Sequence, residues 1–321
     1  MTRKKVIVPE TIHHVGLEIL RREADVINLA EQPGKPLRDF ITEAHAIVVR
    51  VGKIDRELLE KAGNLMIIAK HGVGYDNIDI EAATKKKVVV INTPLDNGES
   101  VAEHNLGLML SLSKRIAVAD RGIRLGKPTP RDNLVGVELK DKVLGLIGIG
   151  HIGSTLAHQC QAAFNMKVIG YDPYVSKERA VQLGVTKVEK LDNMLRDADY
   201  IVICVPLTKE TANLIGTREL NLMKPDAFLI NSSRGGIVDE GALYDHLLKG
   251  KIGGAAMDVF LKEPPLPDYP LFSLDNFIGT PHIAGGTREA MRRMATTCAE
   301  EILRVFHGER PKFPLNPEVL G

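Results

Sequence analysis

Cysteine is scarce in this chain: three residues in 321, Cys160, Cys204 and Cys298, far apart and in no CxxC pair. That leaves no readable disulfide framework or zinc site and makes a reducing compartment the default. Neither sign of charge is in excess. With 42 Lys and Arg against 41 Asp and Glu, the net charge is +1, without the basic surplus that general binding of nucleic acid or a membrane surface needs. Long apolar runs are missing too. Val6-Ile7-Val8, between Lys5 and Pro9, is too short for a signal peptide, and no stretch approaches the length of a membrane-spanning helix. With no low-complexity tract and no address, the expectation is a cytoplasmic protein with neither a nucleic-acid nor a membrane partner.

What is present is a regular alternation of apolar strand-like runs with helical segments. A first series runs through Val6–Val8, Val26–Leu29, Ala46–Val49, Leu65–Ala69 and Val88–Ile91. Helix candidates at Ile12–Arg22, Asp55–Ala62 and Ile80–Lys86 lie between them. A second series comprises Val143–Ile147, Val168–Tyr171, Val185–Val188, Ile201–Val205, Ala227–Asn231, Ile252–Val259 and Phe277–Gly279. Such alternation implies an α/β fold with parallel sheets covered on both faces, and too many strands for one sheet. Two doubly wound units are expected. Ser100–Arg124 reads as one long helix, apolar nearly all round at Leu106–Leu112, and so buried between domains or in a subunit interface. The last helix, Thr287–Phe306, stops at Gly308 and can carry the chain back to the first unit.

The most specific signal opens the second series. Val143–Ile147 is followed at once by Gly148-Ile149-Gly150-His151-Ile152-Gly153, then a helical repeat, a second apolar run and Asp172. Gly148 permits the tight turn, Gly150 lets backbone approach a pyrophosphate, and Gly153 allows close packing of helix on strand. The pyrophosphate would sit on the N–H groups of the helix start, at His151 and Ile152. Asp172 can accept from ribose hydroxyls and repels a 2′-phosphate, which favours NAD over NADP. Lys177 and Arg179 lie near enough in sequence to oppose that preference.

Three later segments follow strands of the second series, where such folds place ligands. Asn231-Ser232-Ser233-Arg234-Gly235-Gly236 can present a planar guanidinium fork to a carboxylate. Asp258 to Pro265 sets Asp258 and Glu263 in a proline-bounded loop, and Thr280-Pro281-His282 offers a proton donor suited to neutral pH. Taken singly, each has a bland reading: a turn arginine, solvated loop carboxylates, a structural histidine. Together they match the needs of a nicotinamide enzyme acting on a 2-oxo acid. Arg234 would take the carboxylate, His282 would donate the proton, and Glu263 would orient the ring and favour its charged form.

These motifs also carry a family likeness. Over essentially its full length the chain resembles the D-isomer-specific 2-hydroxyacid dehydrogenases. The matching segments are GIGHIG to Asp172, Val205–Thr211, NSSRGGIVDE (Asn231–Glu240), DVFLKEP (Asp258–Pro264), TPHIAG (Thr280–Gly285), Gly72–Asp79 and Val101-Ala102-Glu103. The resemblance implies a Rossmann NAD-binding domain, residues 100–286, inserted in a discontinuous flavodoxin-like substrate domain, residues 1–99 and 287–321. It implies a catalytic set of Arg234, Glu263 and His282, closure of the domains over the substrate, and a homodimer built around the NAD domain. Val205, Pro206, Thr211, Ser232 and Gly285 would line the cofactor site, and Asp258 would hold the nicotinamide amide. Backbone at Val73 and Gly74 would meet the substrate carboxylate. Glu263 disfavours the formate dehydrogenase branch, which has glutamine there. The Gly72–Asp79 and Ile91–Pro94 segments draw the chain toward the 3-phosphoglycerate dehydrogenases, with hydroxypyruvate or glyoxylate reduction as the alternative. Arg50, Lys53 and Lys70 would favour a substrate with a second anionic group. A rival of another class is an NAD-sensing corepressor, since relatives of the family serve in that role.

Overall fold

A computed structural model describes residues 3–32 and 34–321. The chain divides into two compact units, residues 1–97 with 285–321, and residues 98–284. The first unit contains β1 (Lys5–Val8), α1 (His14–Glu23), β2 (Asp25–Asn28), β3 (Ala46–Val49), α2 (Arg56–Glu60), β4 (Ile67–Lys70), α3 (Ile80–Lys85) and β5 (Val89–Ile91). Its strands form a parallel sheet in the order β2-β1-β3-β4-β5, the flavodoxin-like arrangement. Period-two alternation sends neighbouring residues to opposite faces, so a strand buried on both sides is apolar throughout. In β3, Ala46 and Val48 join Leu17 and Leu20 of α1, while Ile47 and Val49 join Leu59 of α2 and Ala82 of α3.

The second unit holds α4 (Gly98–Ser113), α5 (Ile116–Arg124), β6 (Val143–Ile147), α6 (His151–Phe164), β7 (Lys167–Tyr171), α7 (Lys177–Gln182) and β8 (Thr186–Lys187). It continues through α8 (Leu191–Asp197), β9 (Tyr200–Ile203), α9 (Thr217–Leu220), β10 (Phe228–Asn231), α10 (Glu240–Leu248), β11 (Gly254–Met257) and β12 (Phe277–Gly279). The sheet runs β12-β11-β10-β9-β6-β7-β8, parallel throughout, with the order reversing between β6 and β9. This is a Rossmann sheet with an added edge strand. In β9, Ile201 and Ile203 face one apolar cluster, Tyr200 and Val202 the other.

After β12 the chain returns to the first unit through α11 (Arg288–Phe306). Thr287 caps it, its hydroxyl accepting from Ala290 N at 3.2 Å, and Gly308 past its end takes φ +79°. Ala295, Cys298 and Ile302 of α11 complete the α1 side of the first sheet. The tail beyond is tied down by the buried Asn316, whose Oδ1 accepts from Val90 N at 2.8 Å.

The expected single helix over Ser100–Arg124 is two. α4 stops at Ser113 and α5 begins at Ile116, with Arg115 between them at φ +52°. The apolar periodicity runs on across the break, but the backbone does not. Ser113 O accepts from Val137 N at 2.9 Å, and the Ser113 hydroxyl bonds Met109 O and Tyr200 Oη. Ser113 thus ties the end of α4 to the returning strand segment and to β9. Nor is α4 buried on every side within its unit: Leu108, Met109 and Leu112 are buried, Leu106 and Leu110 partly so, and Gly107 is exposed. Among the described residues no helix is long and apolar enough to cross a membrane.

Candidate active site

The glycine-rich turn leaves the carboxyl end of β6, at the point where the strand order reverses. Gly148 has φ +95°, and a Cβ there would lie 2.8 Å from Cys204 O, so any side chain meets both strain and backbone. A Cβ on Gly153 would come within 2.5 Å of Gly148 O. Gly150, by contrast, faces open space, and it precedes α6 with no side-chain cap and no acidic residue in the first turn. The start of α6 at His151 and Ile152 is therefore an uncapped positive helix end beside an open backbone face, which fits a dinucleotide pyrophosphate. Asp172 closes the end of β7. Its Oδ2 accepts from Ile149 N at 2.9 Å and its Oδ1 from Tyr174 N at 2.9 Å, so the carboxylate braces the glycine turn. Lys177 and Arg179 sit on α7, and Arg179 donates to Gln182 Oε1 at 3.2 Å.

Across the switch point, Thr211 shapes the loop after β9. Its hydroxyl donates to Pro206 O at 2.6 Å and accepts from Thr208 N at 2.7 Å. Val205 borders the glycine turn, 2.8 Å from where a Gly148 Cβ would stand. Ser232 is half-buried at the end of β10, whereas Gly285 falls in the first unit rather than with the cofactor fold.

Arg234, Glu263 and His282 follow the neighbouring strands β10, β11 and β12, all at carboxyl ends. The β10 turn is built on the fully buried Asn231, which donates to Arg234 O at 2.9 Å and accepts from Ser233 N at 3.0 Å. Arg234 Nη1 donates to Ser233 O at 2.6 Å. Gly235 permits this loop to touch the next: a Cβ there would be 2.0 Å from Phe260 O. Phe260 N in turn donates to Glu263 Oε1 at 3.0 Å, while Glu263 Oε2 lies 2.8 Å from His282 Nδ1. Burial pushes the Glu263 carboxyl upward. The hydrogen bonds from His282 and Phe260, with the charges of His282 and Arg234, outweigh it and hold the group below the usual glutamate range. The acid is thus an anion at neutral pH, bonded to one ring nitrogen and leaving Nε2 as the working face.

His282 itself has φ +54°, a conformation rare outside glycine and asparagine. Asp258 holds it there. The Asp258 carbonyl accepts from His282 N at 2.7 Å, and its carboxylate accepts from Thr280 Oγ1 (2.6 Å), Ile283 N (2.9 Å) and Ala284 N (2.8 Å). Asp258 is 0% exposed. The sequence expectation that it holds the nicotinamide amide gives way to a different job, because its carboxylate is wrapped in the turn around His282. His104 of α4 adds a 3.2 Å bond to Thr280 Oγ1. Asn231, Thr280 and His104 were not among the expected site residues. The only hint in the sequence was polar side chains at the ends of apolar strands.

In the first unit, Val73 and Gly74 lie on the loop after β4, where Asn92 Nδ2 donates to Val73 O at 2.7 Å. Lys70 is only 9% exposed, and its ammonium donates to Arg50 O and, at 2.9 Å, to Asn77 Oδ1. Arg50 Nη1 donates to Thr11 O at 2.9 Å, and Lys53 stands out from the surface 3.8 Å from Asp55. The structure therefore gives Lys70 and Arg50 work within the loop scaffold.

Residues 106–284 match the model of the D-isomer specific 2-hydroxyacid dehydrogenase NAD binding domain. The chain belongs to that family. It is 44% identical to a D-3-phosphoglycerate dehydrogenase of Archaeoglobus fulgidus, over 95% of this chain and 58% of that one. It is 39% identical to a glyoxylate reductase of Thermofilum pendens, over 100% of this chain and 96% of that one. A D-lactate dehydrogenase of Lactobacillus jensenii solved with NAD+ superposes with a TM-score of 0.78 at 28% identity, covering 97% of this chain and 99% of the other. The chain thus spans little more than half the length of the phosphoglycerate dehydrogenases it matches and nearly all of the glyoxylate reductase. The second unit is an NAD-binding domain, and the two sheets are those of the family.

Proposed function

We propose that the protein is an NAD-dependent oxidoreductase that interconverts a small D-2-hydroxy acid and its 2-oxo acid. The observation that carries this is the His282 Nδ1–Glu263 Oε2 contact of 2.8 Å, with Arg234 on the loop that Gly235 presses against Phe260. Bound NADH supplies the hydride to the substrate C2. Arg234 pairs with the substrate carboxylate and polarises the carbonyl. His282 Nε2 donates a proton to the carbonyl oxygen as charge develops there. Glu263 favours the protonated ring and fixes its orientation, as in other carboxylate–histidine pairs. The first unit serves as the substrate domain, with backbone N–H groups at Val73 and Gly74 directed to the carboxylate.

A second copy of the chain covers α4, α5 and the segment after them. Ile116, Ile123, Leu125, Val135 and Val137 stand exposed there, more apolar surface in one region than an isolated chain leaves bare. Together with the half-covered apolar residues of α4 they favour a homodimer.

NADH and NADPH oxidation over a panel of 2-oxo acids tests the assignment. Activity is expected with NADH at least about tenfold above NADPH in kcat/KM, from the carboxylate of Asp172. His282→Ala is expected to lose about 10²–10⁴-fold in kcat while still binding NADH. A protein that binds NADH and turns over no 2-oxo acid would be the corepressor-like binder instead.

A further inference from the structure

We propose that Glu10 determines substrate choice: its carboxylate fills the anion seat of the first unit, so that the accepted 2-oxo acid carries no second anionic group. The inference rests on the 2-oxo acid reading above and narrows it.

In a sheet ordered β2-β1-β3-β4-β5 the direction of winding reverses between β1 and β3, and ligands bind outside the carboxyl ends of the strands at such a point. Two segments meet there. Glu10 follows β1, and Arg50-Val51-Gly52 follows β3. The three successive N–H groups of that second segment converge, as they do in backbone seats for phosphate. Glu10 occupies them. Its Oε2 accepts from Arg50 N at 2.7 Å, and its Oε1 accepts from Val51 N at 2.8 Å and Gly52 N at 2.5 Å. A Cβ on Gly52 would stand 3.2 Å from that same oxygen, so the carboxylate is closely seated.

The cations nearby do not restore an anion site. Lys70 donates to Arg50 O and Asn77 Oδ1, and Asn77 Nδ2 donates to Gly52 O at 2.6 Å, so both carbonyls flanking the seat are held from behind. The Arg50 guanidinium is turned to Thr11 O. These groups fix the loop in the shape that receives Glu10, and the carboxylate offsets their charge. A phosphorylated substrate reaching this edge meets filled N–H donors and a fixed negative charge. A small neutral end, a hydrogen or a hydroxymethyl group, meets neither obstacle. This departs from the expectation that Arg50, Lys53 and Lys70 raise from sequence, and it places the chain nearer to glyoxylate reduction than its 44% identity to a phosphoglycerate dehydrogenase suggests.

The test compares hydroxypyruvate with phosphohydroxypyruvate, which differ only in the phosphate. kcat/KM with NADH is measured for both in the parent protein, in Glu10→Gln and in Glu10→Ala. Calorimetric titration of the NAD-loaded proteins with glycerate and 3-phosphoglycerate gives a readout independent of turnover. The parent is expected to favour hydroxypyruvate by at least about tenfold, and Glu10→Ala to move that ratio at least about tenfold toward the phosphorylated substrate, with tighter 3-phosphoglycerate binding. Glu10→Gln, which sets an NH2 against an N–H, should move it the same way. A parent that favours the phosphorylated acid overturns the proposal whatever the variants do. So does a ratio that shifts less than about threefold in a variant whose melting matches the parent. A parent that reduces no 2-oxo acid at all would instead remove the dehydrogenase reading on which this one stands.

Discussion

His71 should make the first unit sensitive to mild acid. It stands directly after β4, ahead of Gly72 and the Val73–Gly74 loop, and is 4% exposed. Among the described residues neither of its ring nitrogens has a hydrogen-bond partner of good geometry. Burial lowers the imidazole from its ordinary 6.5 to about 4, the charges of Arg50 and Lys70 push the same way, and backbone groups of His71 and Met291 oppose it weakly. The folded state therefore needs the ring neutral, whereas the unfolded chain protonates it near 6.5. Stability from this group is complete above the unfolded value and is lost as the pH falls toward the folded value of about 4. At ~1.4 kcal/mol per pH unit the whole effect is about 3 kcal/mol, of which about 2 kcal/mol is gone by pH 5. His71→Leu keeps a buried side chain of similar size and cannot titrate. Urea unfolding of parent and variant at pH 7, 6 and 5, followed by amide exchange in β4 and α11, measures the difference. Between pH 7 and 5 the parent should lose about 2 kcal/mol more than the variant. Equal losses, within about 0.5 kcal/mol, would show that the buried ring does not set the acid response.

Glu263→Gln removes the negative charge that favours the protonated His282 ring, so the pH profile of 2-oxo acid reduction should move to lower pH; an unmoved profile would mean that Glu263 only positions the ring. Sedimentation at micromolar concentration should show a dimer, and charged substitutions at Ile123 and Val135 should weaken it. A stable parent monomer would leave that exposed apolar segment without a covering surface.

The parts of the fold that were legible in the sequence are those where local chemistry and burial agree. Val143–Ile147 is a strand bounded as expected because its apolar run ends on Gly148, whose φ of +95° no strand residue takes. Ala46–Val49 and Phe277–Gly279 keep their expected bounds for a similar reason, a change of polarity at each end. Where an apolar run carries on past the element, the reading overshoots. Ile201–Val205 was expected as strand, but β9 stops at Ile203, since Cys204 and Val205 already turn into the Pro206 loop. The break between α4 and α5 has neither glycine nor proline to announce it. It depends on Val137, more than twenty residues on, reaching Ser113 O.

The same division runs through the site. Arg234, Glu263 and His282 were legible because their residue types are what the chemistry requires and each follows a strand. Their supports were not, because support depends on where a side chain turns. Asp258 looked available to a ligand, yet three donors of the His282 turn enclose it. Glu10 looked like an ordinary loop carboxylate after β1. Only the parallel register of β1 with β3, Val6 beside Ala46 and Ile7 beside Ile47, brings it over the N–H groups of Arg50, Val51 and Gly52. Lys70 and Arg50 were read from charge alone, which tells that cations lie near a strand end but not what they neutralise. Substrate choice in such a pocket is set by the residual charge after internal pairing. That residue of charge is a property of the folded loops, and here Glu10 brings it close to zero.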